Sequence, residues 1–262
     1  MMRSFDIAAT GMQAQQLNVD VTSHNLANQT TTGYKSQRAE FQDLIYEELR
    51  RVGTNSSDLG TIVPTGVQLG LGVKTGAIYR NTEQGTVKMT EGALDVAIQG
   101  NGYFQVELPD GDIGYTRNGA FKLSPDGEIV TMDGYIVQPA IAVPDDAIDI
   151  SINASGEVEV TIDGQVDPAN LGQLEVVTFI NPPGLKAIGD NMFLETAASG
   201  DPILGIAGED GVGTILQGYL ENSNVNPVTE ITNLIVAQRA YEMNSKVITA
   251  SDEMLQALNQ SA

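Results

Sequence analysis

The chain has no cysteine, no tryptophan, a single histidine, and only 13 lysines and arginines against 34 aspartates and glutamates. The lack of cysteine excludes disulfides, thiol catalysis and thiolate-bound zinc. One histidine excludes a His-rich metal site and leaves little room for acid–base chemistry near neutral pH. A net charge of −21 argues against nucleic acid or an anionic membrane as partner. With no tryptophan and 5% aromatics there is no obvious platform for stacking bases or sugars. Met1, Met2 and Arg3 run into Ser4, Phe5 and Asp6 rather than an apolar h-region, so no Sec-type signal peptide is expected. No run of 18 apolar residues is available to span a membrane.

What is present divides along the chain. At 262 residues and 41% hydrophobic content it can form one large or two modest domains with a sizeable core. Residues 91–220 hold 21 acids and 3 bases, whereas residues 1–51 hold 6 acids and 5 bases. The two ends are nearly neutral and can approach each other without strong repulsion.

Both ends read as helices. From Ser4 to about Asn28 the apolar residues Ile7, Ala14 and Val21 recur every seven positions, with Leu17 between them. Ser4 is the expected cap, and Asn28–Gly33 should end the helix. From Pro227 to about Asn259 the row Val236, Ala240, Met243, Val247, Ala250, Met254 and Ala257 keeps heptad spacing. Leu234, Tyr241, Ile248 and Leu255 form a second row beside it, which makes the stripe wide enough for more than one neighbour. Asn226 before Pro227 is a start signal. If the two helices pair and still expose an apolar stripe, other copies must cover it.

The middle reads as β. Leu94, Val96 and Ile98 alternate before Gly100-Asn101-Gly102, and Phe104, Val106 and Leu108 alternate after it. Ile148–Ile152 and Val158–Ile162 flank the turn Asn153–Gly156, and Asp-Gly pairs at 110, 126, 133 and 163 mark further turns. Residues 53–90 are rich in Gly, Thr and Ser and read as an extended arm or ribbon. The expected fold class is α+β: long terminal helices pairing as a coiled-coil domain (1–40 and 221–262), an extended arm (41–90), and an inserted, mainly antiparallel β-domain (91–220).

No catalytic constellation emerges. His24 lies on a helix beside Asn25 and suits packing or hydrogen bonding. Gly100-Asn101-Gly102 lacks the third glycine and following helix of a dinucleotide loop. The Gly205–Gly213 run contains Glu209 and Asp210 and no P-loop lysine. The acids Asp110, Asp112, Asp145, Asp146 and Asp149 are the best candidates for calcium or a glycosidase-type carboxylate pair; no stretch matches a calcium loop, and the pair stays open because its spacing is spatial. No cofactor and no metal are expected.

Two segments carry a specific resemblance. One runs from Leu17 through Asn18, Val21, His24, Asn25, Leu26 and Asn28, and continues through Thr32-Gly33-Tyr34-Lys35. The other runs from Glu221-Asn222-Ser223-Asn224-Val225-Asn226 to Gln238-Arg239-Ala240-Tyr241-Glu242-Met243-Asn244-Ser245-Lys246. Together they resemble the paired terminal signatures of bacterial flagellar axial proteins, the rod, hook and hook-associated subunits. Asp95–Val106 and Tyr115–Phe121 are similar to stretches typical of the same family. Length and the stretch Pro64–Val73 place the resemblance nearest the distal-rod branch, with a hook or proximal rod subunit as the alternative within the family and an acidic calcium- or glycan-binding β-protein as the rival of a different class.

The resemblance implies a non-enzymatic building block of a hollow helical tube. Its implied partners are further copies of itself, proximal rod and hook subunits, the peptidoglycan- and outer-membrane-ring proteins around the rod, and the flagellar type III export apparatus. It implies self-assembly through the two signatures and the helical rows, adding Leu234, Val247, Ile248, Met254 and Leu255. It also implies a basal-body location spanning the periplasm, reached without a cleaved signal. The arm, in particular 53–63, would bear on straightness.

Overall fold

The computed structural model describes residues 2–50, 65–163 and 167–261. The predicted helices are present: α1 spans Met2–Ala27 and α2 spans Pro227–Ser261. At 1.5 Å per residue α2 is roughly 52 Å long. Asn226 caps it, its Oδ1 accepting the backbone N–H of Val228 and of Thr229. Ser4 is not a cap. α1 already runs from Met2, and Ser4 sits inside it with its Oγ 3.4 Å from Ser251 Oγ.

The chain forms two compact units. The first comprises the described residues of 1–26, 37–79 and 226–262. It holds both helices and a two-stranded antiparallel ribbon. Strand Gln37–Asp43 pairs with Val73–Arg80, and Tyr46–Arg50 pairs with Val67–Gly70. Leu44 N–H to Gly72 O and Leu71 N–H to Ile45 O join the two halves of the ribbon. Gly72 is required where the ribbon crosses α1: its φ is +123°, and a Cβ there would lie 2.3 Å from Thr10 Oγ1. The arm segment 53–63 lies outside the described residues.

The second unit comprises 27–36 and 80–225. Its strands are antiparallel. A nine-stranded sheet is built around Tyr103–Glu107, which pairs with Ile113–Thr116 on one side and with Ile136–Gln138 and Val176–Thr178 on the other. A three-stranded sheet joins Ala147–Ile152, Glu157–Ile162 and Ala169–Gln173. The predicted hairpin at 148–162 is therefore present, its turn closed by Asn153 Oδ1 accepting the N–H of Ser155 and Glu157.

Period-two alternation divides Tyr103–Glu107 between two cores. Phe104 joins Val96, Ile98, Phe121, Ile129 and Val158 in the larger one. Tyr103 joins Tyr115, Phe179, Leu185 and Phe193 in the smaller one. The rings of that cluster meet edge to face, as do Phe104 and Phe121 at 5.1 Å between centroids.

Gly119 brings two backbones together: a Cβ on it would lie 1.6 Å from Val96 O. Gly119→Ala is expected to cost about 2–3 kcal/mol through forced backbone displacement. Gly134 has open space around it and a φ of +86°, so Gly134→Ala is expected to cost only about 1 kcal/mol. Urea unfolding midpoints of the two variants check the contrast.

Candidate functional site

The positions that set the register between the two helices are small or polar. Ser4 meets Ser251. Gly11 meets Asn244, where a Cβ would come within 2.8 Å of Nδ2. Asn25 Nδ2 donates to Glu230 Oε2 at 3.2 Å. Seven residues forward on α1 match seven back on α2, so the helices run antiparallel in heptad register. The same register sets Asn18 opposite Ala237, which is fully buried. Small residues let the two backbones approach, and the amides fix the register. Asn25 also holds the start of the ribbon: its Nδ2 donates to Gln37 O and its Oδ1 accepts Gln37 N–H, both at 2.8 Å.

The apolar row of α2 lies elsewhere. Val236 is 62% exposed, Met243 60%, Val247 46% and Met254 51%. Tyr241, Leu255, Ile231 and Ile235 are exposed beside them. Leu234, Asn244 and Ile248 are half-buried on the contact side, while Gln238 and Arg239 are exposed. A groove of about 370 Å³ lined by Gln16, Val19, Gln238, Tyr241 and Glu242 opens along the helix pair. On α1, Val21 and Asn25 are buried, Leu17, Asn18 and Leu26 half-buried, and His24 exposed.

The remaining signature residues do different work. Just beyond α1, Asn28 Oδ1 accepts the Thr31 hydroxyl at 3.1 Å. Gly33 is buried with φ +70°, and a Cβ on it would meet the Arg117 carbonyl carbon at 2.9 Å. Its N–H donates to Glu221 O at 2.8 Å. Tyr34 is half-buried, and its carbonyl accepts the Asn224 N–H. The Asn224 side chain clamps two chain segments together: Oδ1 accepts Ser36 N–H at 2.7 Å, and Nδ2 donates to Asn81 O and Glu83 O at 3.0 Å each.

Under this knot lies a buried ion cluster. Glu221 Oε1 accepts from Lys35 Nζ at 2.7 Å and from Gly85 N–H at 2.9 Å. Its Oε2 accepts from Arg117 Nε at 2.6 Å. All three side chains are at most 5% exposed. Burial pushes the Glu221 pKa up, but Arg117 and Lys35 together outweigh it and hold the carboxyl below its usual range. Burial lowers the Lys35 pKa against the pull of Glu221, and Arg117 adds to the lowering. Arg117 also donates to Ile98 O, Gly100 O and Gly102 O, which fixes the turn at 100–102. Lys35, Arg117 and Glu221 stand within the signature stretches, but sequence reasoning gave them no role. The available signal was scarcity: Arg117 is one of three bases in residues 91–220 and sits between Tyr115 and Phe121.

Among the described residues there is no group of acids and imidazoles able to hold a metal ion. The arrangement builds surfaces and joints.

Family models agree with these positions. One described as "Flagella basal body rod protein" matches residues 5–35, one described as "Flagellar hook protein FlgE/F/G D1 domain" matches 97–160, and one described as "Flagellar basal body rod FlgEFG protein C-terminal" matches 216–261. The chain is 57% identical over 259 residues to the flagellar basal-body rod protein FlgG of Caulobacter vibrioides, covering 99% of both. It is 51% identical to that of Agrobacterium fabrum, covering 97% of both, and 37% identical to that of Bacillus subtilis, covering 98% of both.

Removing one member of the cluster leaves a buried charge unpaired. Glu221→Gln is expected to lose about 3–5 kcal/mol at pH 7. The carboxyl is depressed in the folded state, so its contribution is complete above the unfolded carboxylate pKa of about 4.3 and fades as pH falls through the lower folded value. The gap between parent and variant should therefore close in acid. Denaturant titrations between pH 7 and pH 2.5 measure it.

Proposed function

The chain belongs to the family of flagellar basal-body rod proteins, structural subunits and not enzymes, and from that premise we propose that it builds the distal rod. It self-assembles into a straight hollow shaft that carries torque from motor to hook and passes exported subunits through its bore. The proximal rod and the hook are its axial neighbours, and the peptidoglycan- and outer-membrane-ring proteins surround it across the periplasm. It reaches that place through the flagellar type III route.

One observation carries this reading: α2 keeps its apolar row outside its contact with α1. Val236, Met243, Val247 and Met254 are between 46% and 62% exposed in a single copy. Covering each regains roughly 1 kcal/mol, half the value of full burial. A row of this length on a surface helix calls for neighbours, and further copies supply them in a helical array. The helix pair then acts as a coiled coil twice, through a polar seam within the copy and an apolar one between copies. In this arrangement the helices within 1–40 and 221–262 form the inner tube, the arm at 41–90 bridges neighbours, and the acidic domain at 91–220 faces outward.

Val247→Asp places a charge in the apolar seam, at a cost of several kcal/mol unless it is paired. The critical concentration for polymer formation should rise by about 100-fold or more, since each 1.4 kcal/mol is tenfold. Electron microscopy and sedimentation of parent and variant measure it, while the dispersed NMR signals of the second unit remain. Equal polymer from the variant would contradict the proposal.

A further inference from the structure

A cavity of about 460 Å³ opens in the second unit over the buried ion cluster. Lys35 and Arg117 line it, together with Thr82, Thr178, Ile180 and Asp210. The cluster beneath holds two cations and one carboxylate. Glu221 is fully engaged, with both oxygens accepting. The cations are not. Lys35 spends two of its three N–H groups, on Glu221 and on Glu83 O. Arg117 spends four of five, on Glu221 and three carbonyls. Among the described residues one donor therefore remains on each, and both residues line the wall of an open cavity. Their side chains are 5% exposed, so their positive charge is little screened there.

A carboxylate matches two such donors, with one oxygen for each, as Glu221 already does from the other side. We propose that this cavity is a carboxylate-binding site, and that its occupant is an aspartate or glutamate side chain of a second copy. The proposal rests on the self-assembly reading above for its occupant but not for its chemistry. The chain carries 34 acids, of which 21 fall in residues 91–220, so a neighbouring copy has many carboxylates to offer. Crowding such domains around a shaft costs repulsion, and a cationic socket on each copy offsets part of it. Thr82 and Thr178 add hydroxyls at the wall, and the exposed Ile180 gives an apolar lip.

Asp210 is the opposing feature. It is exposed on the rim and repels an incoming carboxylate. This makes it the test. Its φ is +46°, a conformation asparagine tolerates, so Asp210→Asn leaves the fold intact.

The probe is acetate, titrated at constant ionic strength into the full-length monomer. It is read by NMR at the Arg117 Nε and the Gly100 and Gly102 amides. Saturable shifts are expected, about two- to five-fold tighter in Asp210→Asn and lost in Thr82→Glu, whose carboxylate would occupy the rim. Unsaturable shifts, or equal affinities in parent and Asp210→Asn, would overturn the site. Polymer formation is measured in parallel. A lower critical concentration for Asp210→Asn, reversed by acetate, assigns the occupant to a second copy. Acetate binding with unchanged polymerisation would overturn that assignment while leaving the anion site standing. Loss of polymerisation by Val247→Asp alone bears on the helices and not on this cavity.

Discussion

Along the register line where α1 and α2 come closest the residues are small or polar, with Leu234 and Ile248 half-buried beside it, and that choice decides what the rest of the molecule can do. A helix that spent its leucines and valines on its partner would have nothing apolar left for other copies. Here Ser4, Gly11 and Asn25 meet Ser251, Asn244 and Glu230, and the apolar row of α2 stays exposed. Close backbone approach and amide hydrogen bonds set the register at little cost in hydrophobic surface. The exposed row would be a liability in a solitary protein. In a subunit of a rod it is the means of joining.

The second unit solves a different problem. Two chain segments that are far apart in sequence, one after α1 and one before α2, must meet and hold a fixed geometry. Gly33, Tyr34, Lys35 and Ser36 bond to Glu221 and Asn224 directly. Arg117 brings the middle of the chain into the same joint through Glu221. A buried ion cluster is an expensive way to gain stability. It does make the joint specific, because no apolar substitute would also fix the turn at 100–102 and the segment at 83–85.

Much of this was legible in the sequence. Heptad spacing gave both helices, and Asn226-Pro227 gave the start of α2. Alternation and Asn153–Gly156 gave the hairpin at 147–162. Ser4 is a good cap in isolation, yet α1 starts before it and its hydroxyl faces Ser251. Periodicity located the apolar row but not the contact line, because glycine, serine and asparagine leave no hydrophobic signal. The ion cluster was hidden for a similar reason. Lys35, Arg117 and Glu221 look like surface residues until the topology brings them under one roof. Gly33 and Asn224 were picked out by resemblance, and the structure supplies their physical role in the joint.

The central claim is that the apolar row of α2 is free in one copy and covered in the polymer. Because the chain contains no cysteine, single cysteines at Val236, Met243 or Met254 can be labelled with a maleimide against no background. The account predicts fast labelling of all three in dilute monomer and strong protection in assembled polymer, while a cysteine at the exposed Met132 of the second unit serves as the reference. Labelling of the α2 row at monomer rates in the polymer would contradict it.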